Sequence, residues 1–581
     1  PQTPNPKPQT PNPESRSIYS FVSQVEKIKM ETYREESGIS VYGVDMKKNE
    51  RVGLGQLDRS GQEAPDVSAR ERFLDRYFKV QVSDLLNSVG SDKKYQRRVV
   101  VVLAFLNFFY AFVGFMIPYV FFMPEFLCVD GHGNRFACPE PIACANPHGF
   151  IPKSEVSSVV TEFSLYCDRK GLRMLNQGLF VVLGGAFAFV ANIISDRVGR
   201  LPIFAASYVC TVLGTFFSLV SDNLFGITLG NVLSWTGMDI FLSMQVLYIN
   251  EVIGSGLRSK SVGIVFLFWG IGGIVVNLSN AFIVDYKINY LIQLITLIVA
   301  GLGYLSFVES PFLLYKLKKI KQLYQTLVYI GLTNGKPMGQ VEETLRNDLG
   351  LNFIIRHDIE ELMDIQIHRK RNSKVNKMKS SFRFIVKTLK NRSFTSRLFC
   401  VLFVAGNIFM GYALSLLIPQ RLGLQSIYLN GVLLGVAEII GNLIIAPIAN
   451  KVHRRSLNFN CAAGEVILCF VLLLLEFTDY SQSGAIKLIQ TILGCGVKVF
   501  VCINFVLIYN YCSELFPTKV RGFALGVCII VGRSTGLISL LLVDFTDSLG
   551  IHPMIGMVFS SVIAMLFSLL LPETVNKDIS N

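Results

Sequence analysis

Four ionisable residues stand where the sequence is otherwise apolar: Asp239, Glu438, Lys498 and Arg533. An ionised side chain in the middle of a membrane-length apolar stretch costs roughly 2.5–3.5 kcal/mol on insertion scales, so each needs a partner or a task. Arg533 is the most informative of them. Its planar guanidinium presents a fixed fork of donors that can take a carboxylate through two parallel hydrogen bonds. Asp239 keeps a bound cationic group in play. Lys498 and Glu438 read equally well as ligand contacts and as a pair that neutralises itself.

A second chemistry lies in Cys128, Cys138, Cys144 and Cys167, four of the chain's 12 cysteines, clustered within one polar stretch. They read as up to two disulfides with three pairings open. The rival, a zinc site, lacks paired Cys-x-x-Cys or His-rich spacing, and no metal or other cofactor is expected. The other cysteines fall in or at the ends of apolar stretches and read as packing residues. Enzyme chemistry finds no purchase: there is no His-Glu-x-x-His, phosphate-binding glycine loop or nucleophile elbow in a credible context.

These residues are positioned by long apolar elements. The chain has 581 residues, 51% of them hydrophobic and only 17% charged, with a mean hydropathy of +0.45. Soluble proteins carry about 25% charged residues. A span needs about twenty apolar residues, and candidates run 99–121, 172–195, 201–220, 224–249, 261–283 and 288–308. A second set runs 397–417, 428–449, 456–477, 485–512, 521–543 and 552–571. Six spans, a polar segment and six more form a repeat in hydropathy alone. Basic residues gather in every second connection, as in Asp196-Arg197-Val198-Gly199-Arg200, Lys451-Val452-His453-Arg454-Arg455 and Lys519-Val520-Arg521. The positive-inside rule then puts both termini and the central loop in the cytoplasm, or on the matrix side in a mitochondrion. The formal charge of +13 follows from these loops, and a nucleic-acid partner is not expected.

The remaining parts are an N-terminal tail (1–96), a cysteine-bearing outward loop (122–170) inside a first bundle (97–310), a basic intracellular loop with helices (311–396), a second bundle (397–572) and a short tail (573–581). The tail opens with a repeat, Pro-Gln-Thr-Pro-Asn-Pro-Lys then Pro-Gln-Thr-Pro-Asn-Pro, which favours extended polyproline II and calls for a protein partner if it is to be held. Residues 67–90 suit an amphipathic helix with Phe73, Leu74, Tyr77, Phe78, Val82, Leu85 and Leu86 on one side and Asp66 as a cap. The run from His368 to Lys379 is a solvated orientation signal or an acidic-lipid contact.

Several motifs, in order, resemble the organic cation and organic anion transporter family of the major facilitator superfamily. They are Ser158–Cys167 before span two, Asp196–Arg200 after it, Glu251 and Arg258 at the span-four exit and Glu309-Ser310-Pro311 after span six. Glu438 in span eight, Glu514–Arg521 at the span-ten exit and Leu571-Pro572-Glu573-Thr574 complete the series. The resemblance covers about residues 85–577 and implies an all-α membrane protein: a twelve-helix major facilitator fold of two pseudo-symmetric six-helix bundles. It implies a multi-pass solute carrier for small organic ions, working by alternating access, with the plasma membrane as the default location. In that family the place of Arg533 holds an acid in cation carriers and an arginine in anion and carnitine-type carriers, which favours an organic anion or zwitterion here. Tyr412, Phe505 and Tyr509 match cavity-lining positions, against the plainer alternative of helix packing. Asp196, Arg197, Arg200, Glu251, Arg258, Glu514 and Arg521 would form charge pairs that latch one state of a rocking bundle; the plainer alternative is that they only satisfy helix termini.

The sequence also departs from the family. Asn192 and His453 replace glycines, Asn231 an arginine and Asn450 an acid. These losses motivate a second reading, a retired transporter serving as a structural subunit of a larger membrane complex, with the mitochondrion as one setting. A sugar porter is a third, disfavoured because spans seven and eight lack a cluster of Gln and Asn suited to polyols.

Overall fold

The computed structural model describes residues 82–574 apart from 130–133, 139, 147–148, 154–156, 255, 284, 318, 349–387, 422–426, 450, 477–483, 517–519 and 549–553. The proline-rich repeat, the first part of the 67–90 helix, the His368–Lys379 run and Asn450 lie outside the described residues.

In hydrocarbon a backbone must satisfy its own polar groups, so an apolar stretch of this length crosses as a helix. Eleven helices among the described residues are long and apolar enough to do so. In the first half they are Lys94–Val120, Cys167–Val198, Arg200–Val220, Leu224–Val252, Arg258–Asn280 and Tyr286–Tyr304, spans one to six. In the second they are Arg392–Ser415, Ile427–Ile448, Arg454–Leu475, Gly484–Cys512 and Arg521–Val543, spans seven to eleven. Span twelve is the shorter apolar helix Met554–Leu569, which begins just after the undescribed 549–553.

The two sets pack alike. Spans one and five, two and four, three and four, three and six, and one and six pack together, and so do their counterparts seven and eleven, eight and ten, nine and ten, nine and twelve, and seven and twelve. The halves meet through two further pairs that exchange under the same symmetry, five with eight and two with eleven. Small residues permit the close approach: a Cβ on Gly185 of span two would stand 3.0 Å from the Arg533 side chain of span eleven.

The long connection after span one holds something the hydropathy reading missed, a three-stranded antiparallel sheet. Its central strand β1 (Glu125–Val129) pairs with β2 (Arg135–Cys138) and β3 (Phe150–Lys153). Strands this short carry too few alternations to register as a pattern. Two disulfides resolve the open pairing: Cys128–Cys138 joins β1 to β2, and Cys144–Cys167 ties the helix Glu140–Ala145 to the start of span two. Peptide mapping of the unreduced protein should recover these two cross-links, and finding either of the other pairings would refute this connectivity. Removing Cys144–Cys167 should loosen the loop by about 2–5 kcal/mol, visible as faster proteolysis between β2 and β3.

At the opposite, basic end, the helices Val82–Val89, Pro311–Lys316, Ile320–Thr333 and Met338–Asp348 pack together. Asn334 joins them to span one: its Oδ1 accepts from the Tyr95 N–H at 2.9 Å while its Nδ2 donates to the carbonyls of Val89 and Gly90 at 3.1 and 2.8 Å.

Candidate functional site

A cavity of about 660 Å³ lies between the halves. Spans one, two, four and five line it from the first half, and spans seven, eight, ten and eleven from the second. Its wall reaches Met123 and Arg173 beside the disulfide-bonded loop, where Arg173 pairs with Glu140 at 3.3 Å. None of the charged residues of the basic end lines it. The surface is dominated by aromatic rings, among them Phe115, Trp235, Phe266, Trp269, Phe409 and Phe505.

Four of the seven residues singled out for ligand contact reach this cavity: Arg533, Glu438, Tyr412 and Phe505. The other three sit behind them. Tyr509 is buried against Phe505 and Phe266, with ring centroids 5.3 and 6.3 Å away. Asp239 and Lys498 are buried in ion pairs. The sequence pattern identifies these positions as intramembrane charges but carries no information on which rotate toward the cavity.

Arg533 clamps Asp239 across the seam between the halves. Its Nε donates to Oδ2 at 3.1 Å and its Nη2 donates to Oδ1. Asp239, expected to stay open to a cationic ligand group, is therefore already committed to a cation of the protein. The guanidinium also stands 5.3 Å from the ring of Trp235 and 5.4 Å from that of Phe409, within cation–π range. A guanidinium has five N–H donors; the pair engages two of them and leaves an edge of Arg533 on the cavity.

The second pair sits deeper in the other half. Lys498 Nζ lies 2.9 Å from Glu438 Oε1 and 3.2 Å from the centre of the Tyr412 ring. The first contact is an ion pair by distance, without the alignment of a hydrogen bond. Tyr412 donates its hydroxyl proton to Glu438 Oε1 and accepts from Trp269 Nε1 at 3.2 Å. Lys498 and Glu438 thus stand as a pair. The cavity wall carries two opposite charge pairs and no net charge from these four residues.

Trp235, Phe409, Phe266 and Trp269 were not singled out from the sequence. The available signal was rarity: the chain has two tryptophans, and both line the cavity.

At the basic end each half holds its exit glutamate with an arginine. Arg200, buried, donates to Glu251 from Nε at 3.1 Å and from Nη2 at 2.7 Å, and from Nη2 to Asp196 at 3.0 Å. Arg454, absent from the latch residues chosen from the sequence, holds Glu514 in the same way at 3.3 and 3.1 Å. Glu309 accepts from the first backbone N–H groups of span three, and Glu573 from those of span nine. These carboxylates offset the unsatisfied donors and the positive end of each helix dipole. Burial pushes the Glu309 carboxyl above the ordinary glutamate range, against the N–H groups that hold it down.

The glutamates of the exit motifs are therefore bound by the arginines that begin spans three and nine, and among the described residues Arg258 and Arg521 form no ion pair with them. Arg258 donates to the Ile253 carbonyl at 3.4 Å. Arg521 is buried and acts on Glu251 through space. Arg197 is exposed. The halves touch here. Arg454 Nη2 reaches Ser259 Oγ of the first half at 2.8 Å, and a Cβ on Gly522 would meet Asp196 Oδ2 at 2.7 Å.

The described substitutions are satisfied only in part: Asn192 Oδ1 and Asn231 Nδ2 are buried without a partner, and His453 is exposed, 3.7 Å from Glu573. Asn192 donates to the Ala188 carbonyl and to Ser243 at 2.8 and 3.0 Å, and Asn231 accepts from Tyr290 at 2.8 Å.

Residues 174–540 match the profile of the Major Facilitator Superfamily. Solute carrier family 22 member 16 of Xenopus laevis is 26% identical over 77% of this chain and 72% of its own length. An organic cation transporter protein of Drosophila melanogaster is 24% identical over 85% and 92%, and solute carrier family 22 member 7 of Sus scrofa 27% over 75% and 74%. Among solved structures, the proton:xylose symporter XylE bound to 6-bromo-6-deoxy-D-glucose superposes with a TM-score of 0.57 at 15% identity, over 84% of this chain and 98% of that one. At that identity the likeness is one of fold.

Proposed function

We propose that this chain, which belongs to the major facilitator superfamily and within it to the organic cation/anion transporter family, carries a small organic anion or zwitterion through its central cavity by alternating access. That it is a multi-pass membrane transporter of organic ions follows from the family. The finer reading rests on one observation: Arg533 lines an aromatic cavity while Asp239 holds only the Nε–Nη2 edge of its guanidinium, which leaves the Nη1–Nη2 edge for a ligand. A substrate carboxylate meets that edge in the geometry of a two-pronged bond. The rings accept the organic body, and on a zwitterion a cationic group can face Trp269 or Phe505.

Alternating access is supported by the two charge clusters and by the seam residues at the basic end, where the halves close against each other while the cavity extends toward the disulfide loop. We take the basic end as cytoplasmic, in keeping with the positive-inside rule and with disulfides at the other end. The plasma membrane is the location the resemblance implies, and the mitochondrial alternative finds no support. The structural-subunit reading loses part of its motive, because the second-half cluster forms around Arg454 and Glu514. A partner for the N-terminal tail remains a proposal of its own.

The test is flux into liposomes holding the purified protein alone. An aromatic carboxylate should enter faster than a quaternary ammonium of matched size by about tenfold, the ratio that 1.4 kcal/mol of preferential binding produces. Equal or reversed rates would reject the anion assignment, and no flux of either would favour the structural subunit.

A further inference from the structure

Span nine carries a carboxyl, Glu465, that belongs to neither ion pair of the cavity wall nor to the clusters of the basic end. Glu465 is fully buried and does not line the cavity. Its oxygens accept from Asn504 Nδ2 of span ten at 3.2 Å, Asn407 Nδ2 of span seven at 3.0 Å and Ser561 Oγ of span twelve at 3.0 Å. Among the described residues, no Lys, Arg or His forms an ion pair with it. The titratable groups that face it are thiols: Cys461 and Cys469, a turn away in either direction on its own helix, and Cys502 on span ten. Beyond Cys502 stand Lys498 and Glu438, already paired with each other. Spans seven and twelve face it with the neutral groups Asn407 and Ser561, and with Ser560 one bond further out. An anion buried without a countercharge bears a desolvation cost that protonation removes.

The surrounding hydrogen bonds serve either charge state. Ser561 Oγ stands 3.0 Å from Glu465 Oε2 and 3.1 Å from Asn407 Oδ1. When the carboxyl is ionised, the serine proton points at it. When the carboxyl is protonated, Oε2–H donates to Ser561 Oγ, and the serine hydroxyl turns to Asn407 Oδ1. A flip of the Asn504 amide would exchange its Nδ2 donor for Oδ1, which is buried without a partner. One proton is taken from water and returned to it, and no other bond changes. Asn407 is two residues from Phe409, and Asn504 is next to Phe505, so two of the three helices that bond the carboxyl also form the cavity wall.

We propose that Glu465 is a proton-binding site whose charge state is transmitted through spans seven and ten to the cavity. The site is independent of which organic ion is carried, so its test uses no substrate and stands apart from that of the transport reading.

The protein in nanodiscs is titrated between about pH 5 and 9, the range in which buried glutamates ionise, with infrared spectroscopy and tryptophan emission followed together. Both tryptophans line the cavity, so the emission reports on its walls. The expected result is a protonated-carboxyl band that fades as pH rises, with an emission step at the same midpoint. Glu465→Gln, which resembles the protonated form and cannot titrate, should abolish both. Ser561→Ala keeps the carboxyl and removes a partner from both of its forms, but the charge-assisted bond to the ionised form is the stronger, so the midpoint should rise by about one pH unit. The proposal is overturned by a wild type that shows neither signal, by a band or step that survives in Glu465→Gln, or by a midpoint that Ser561→Ala leaves in place.

Discussion

Arg533→Asp abolishes uptake of a carboxylate substrate, an expected loss on the order of 100-fold or more, because it removes the ligand's partner and breaks a buried pair at once. The new carboxylate would face Asp239, which is 1% exposed and has Arg533 as its counterion. Two carboxylates in one enclosed site cannot both ionise without strong repulsion. The single variant should therefore also be less stable, and the exchange of both residues, Asp239→Arg with Arg533→Asp, separates the two effects. It restores opposite charges across the seam and should recover thermal stability. Uptake should stay lost, since the group now lining the cavity is an acid. Arg533→Lys tests geometry at constant charge: an ammonium has no fork, and about a tenfold loss is expected. Uptake of an aromatic carboxylate by Arg533→Asp at the wild-type rate would sink the assignment.

How much of this was legible beforehand depends on the length scale of each signal. Spans are long, and their hydropathy survives averaging, so the six-plus-six plan and the seam between the halves could be expected from the chain alone. The cysteine cluster was visible as a set, but the pairing of Cys128 with Cys138 depends on a strand pairing only a few residues long. Rotation about a helix axis was not legible. Asp239, Lys498 and Tyr509 stand in the predicted spans yet sit one layer behind the cavity wall, while Trp235 and Phe409 form part of it. When a helix is apolar on every side, no periodicity tells the cavity face from the packing face. The same limit explains the latch residues. The glutamates at the exits of spans four and ten were recognised by their motifs, but the arginines that bind them begin spans three and nine, and only the fold brings them together.

Glu465 shows the converse case. It is an acid within a predicted span and was as open to notice as Glu438, yet the family motifs gave it no place. What distinguishes it is the company it keeps, since Asn407, Asn504 and Ser561 come from three other helices. Intramembrane polar residues become informative when their partners are known, because a paired charge, a satisfied carboxyl and a ligand contact look alike in a sequence.

The charge clusters at the basic end differ in a way that predicts unequal effects. Arg200 neutralises two acids, Asp196 and Glu251, whereas Arg454 bonds one, Glu514, which keeps a further bond from Thr574 at 2.8 Å. Arg200→Ala leaves the buried Glu251 without its counterion and Asp196 with only Lys316 at 3.7 Å, for an expected loss of about 3–5 kcal/mol in stability. Arg454→Ala should cost less, about 1–3 kcal/mol, as the loss of charge-assisted hydrogen bonds to one acid. Adding Glu251→Gln to Arg200→Ala should recover a large part of the deficit, and a double variant no better than the single would show that the arginine acts by packing instead. Conformation should respond in the opposite order, because Arg454 also crosses the seam to Ser259. Cys512 and Cys528 are buried in spans ten and eleven, 3.7 Å apart. If opening of the basic end exposes them, Arg454→Ala and Ser259→Ala should raise their labelling by a membrane-permeant maleimide, by about tenfold for each 1.4 kcal/mol removed from the closed state. Peptide-resolved mass spectrometry reads that rate directly, and unchanged labelling in both variants would mean that this contact does not hold the halves together.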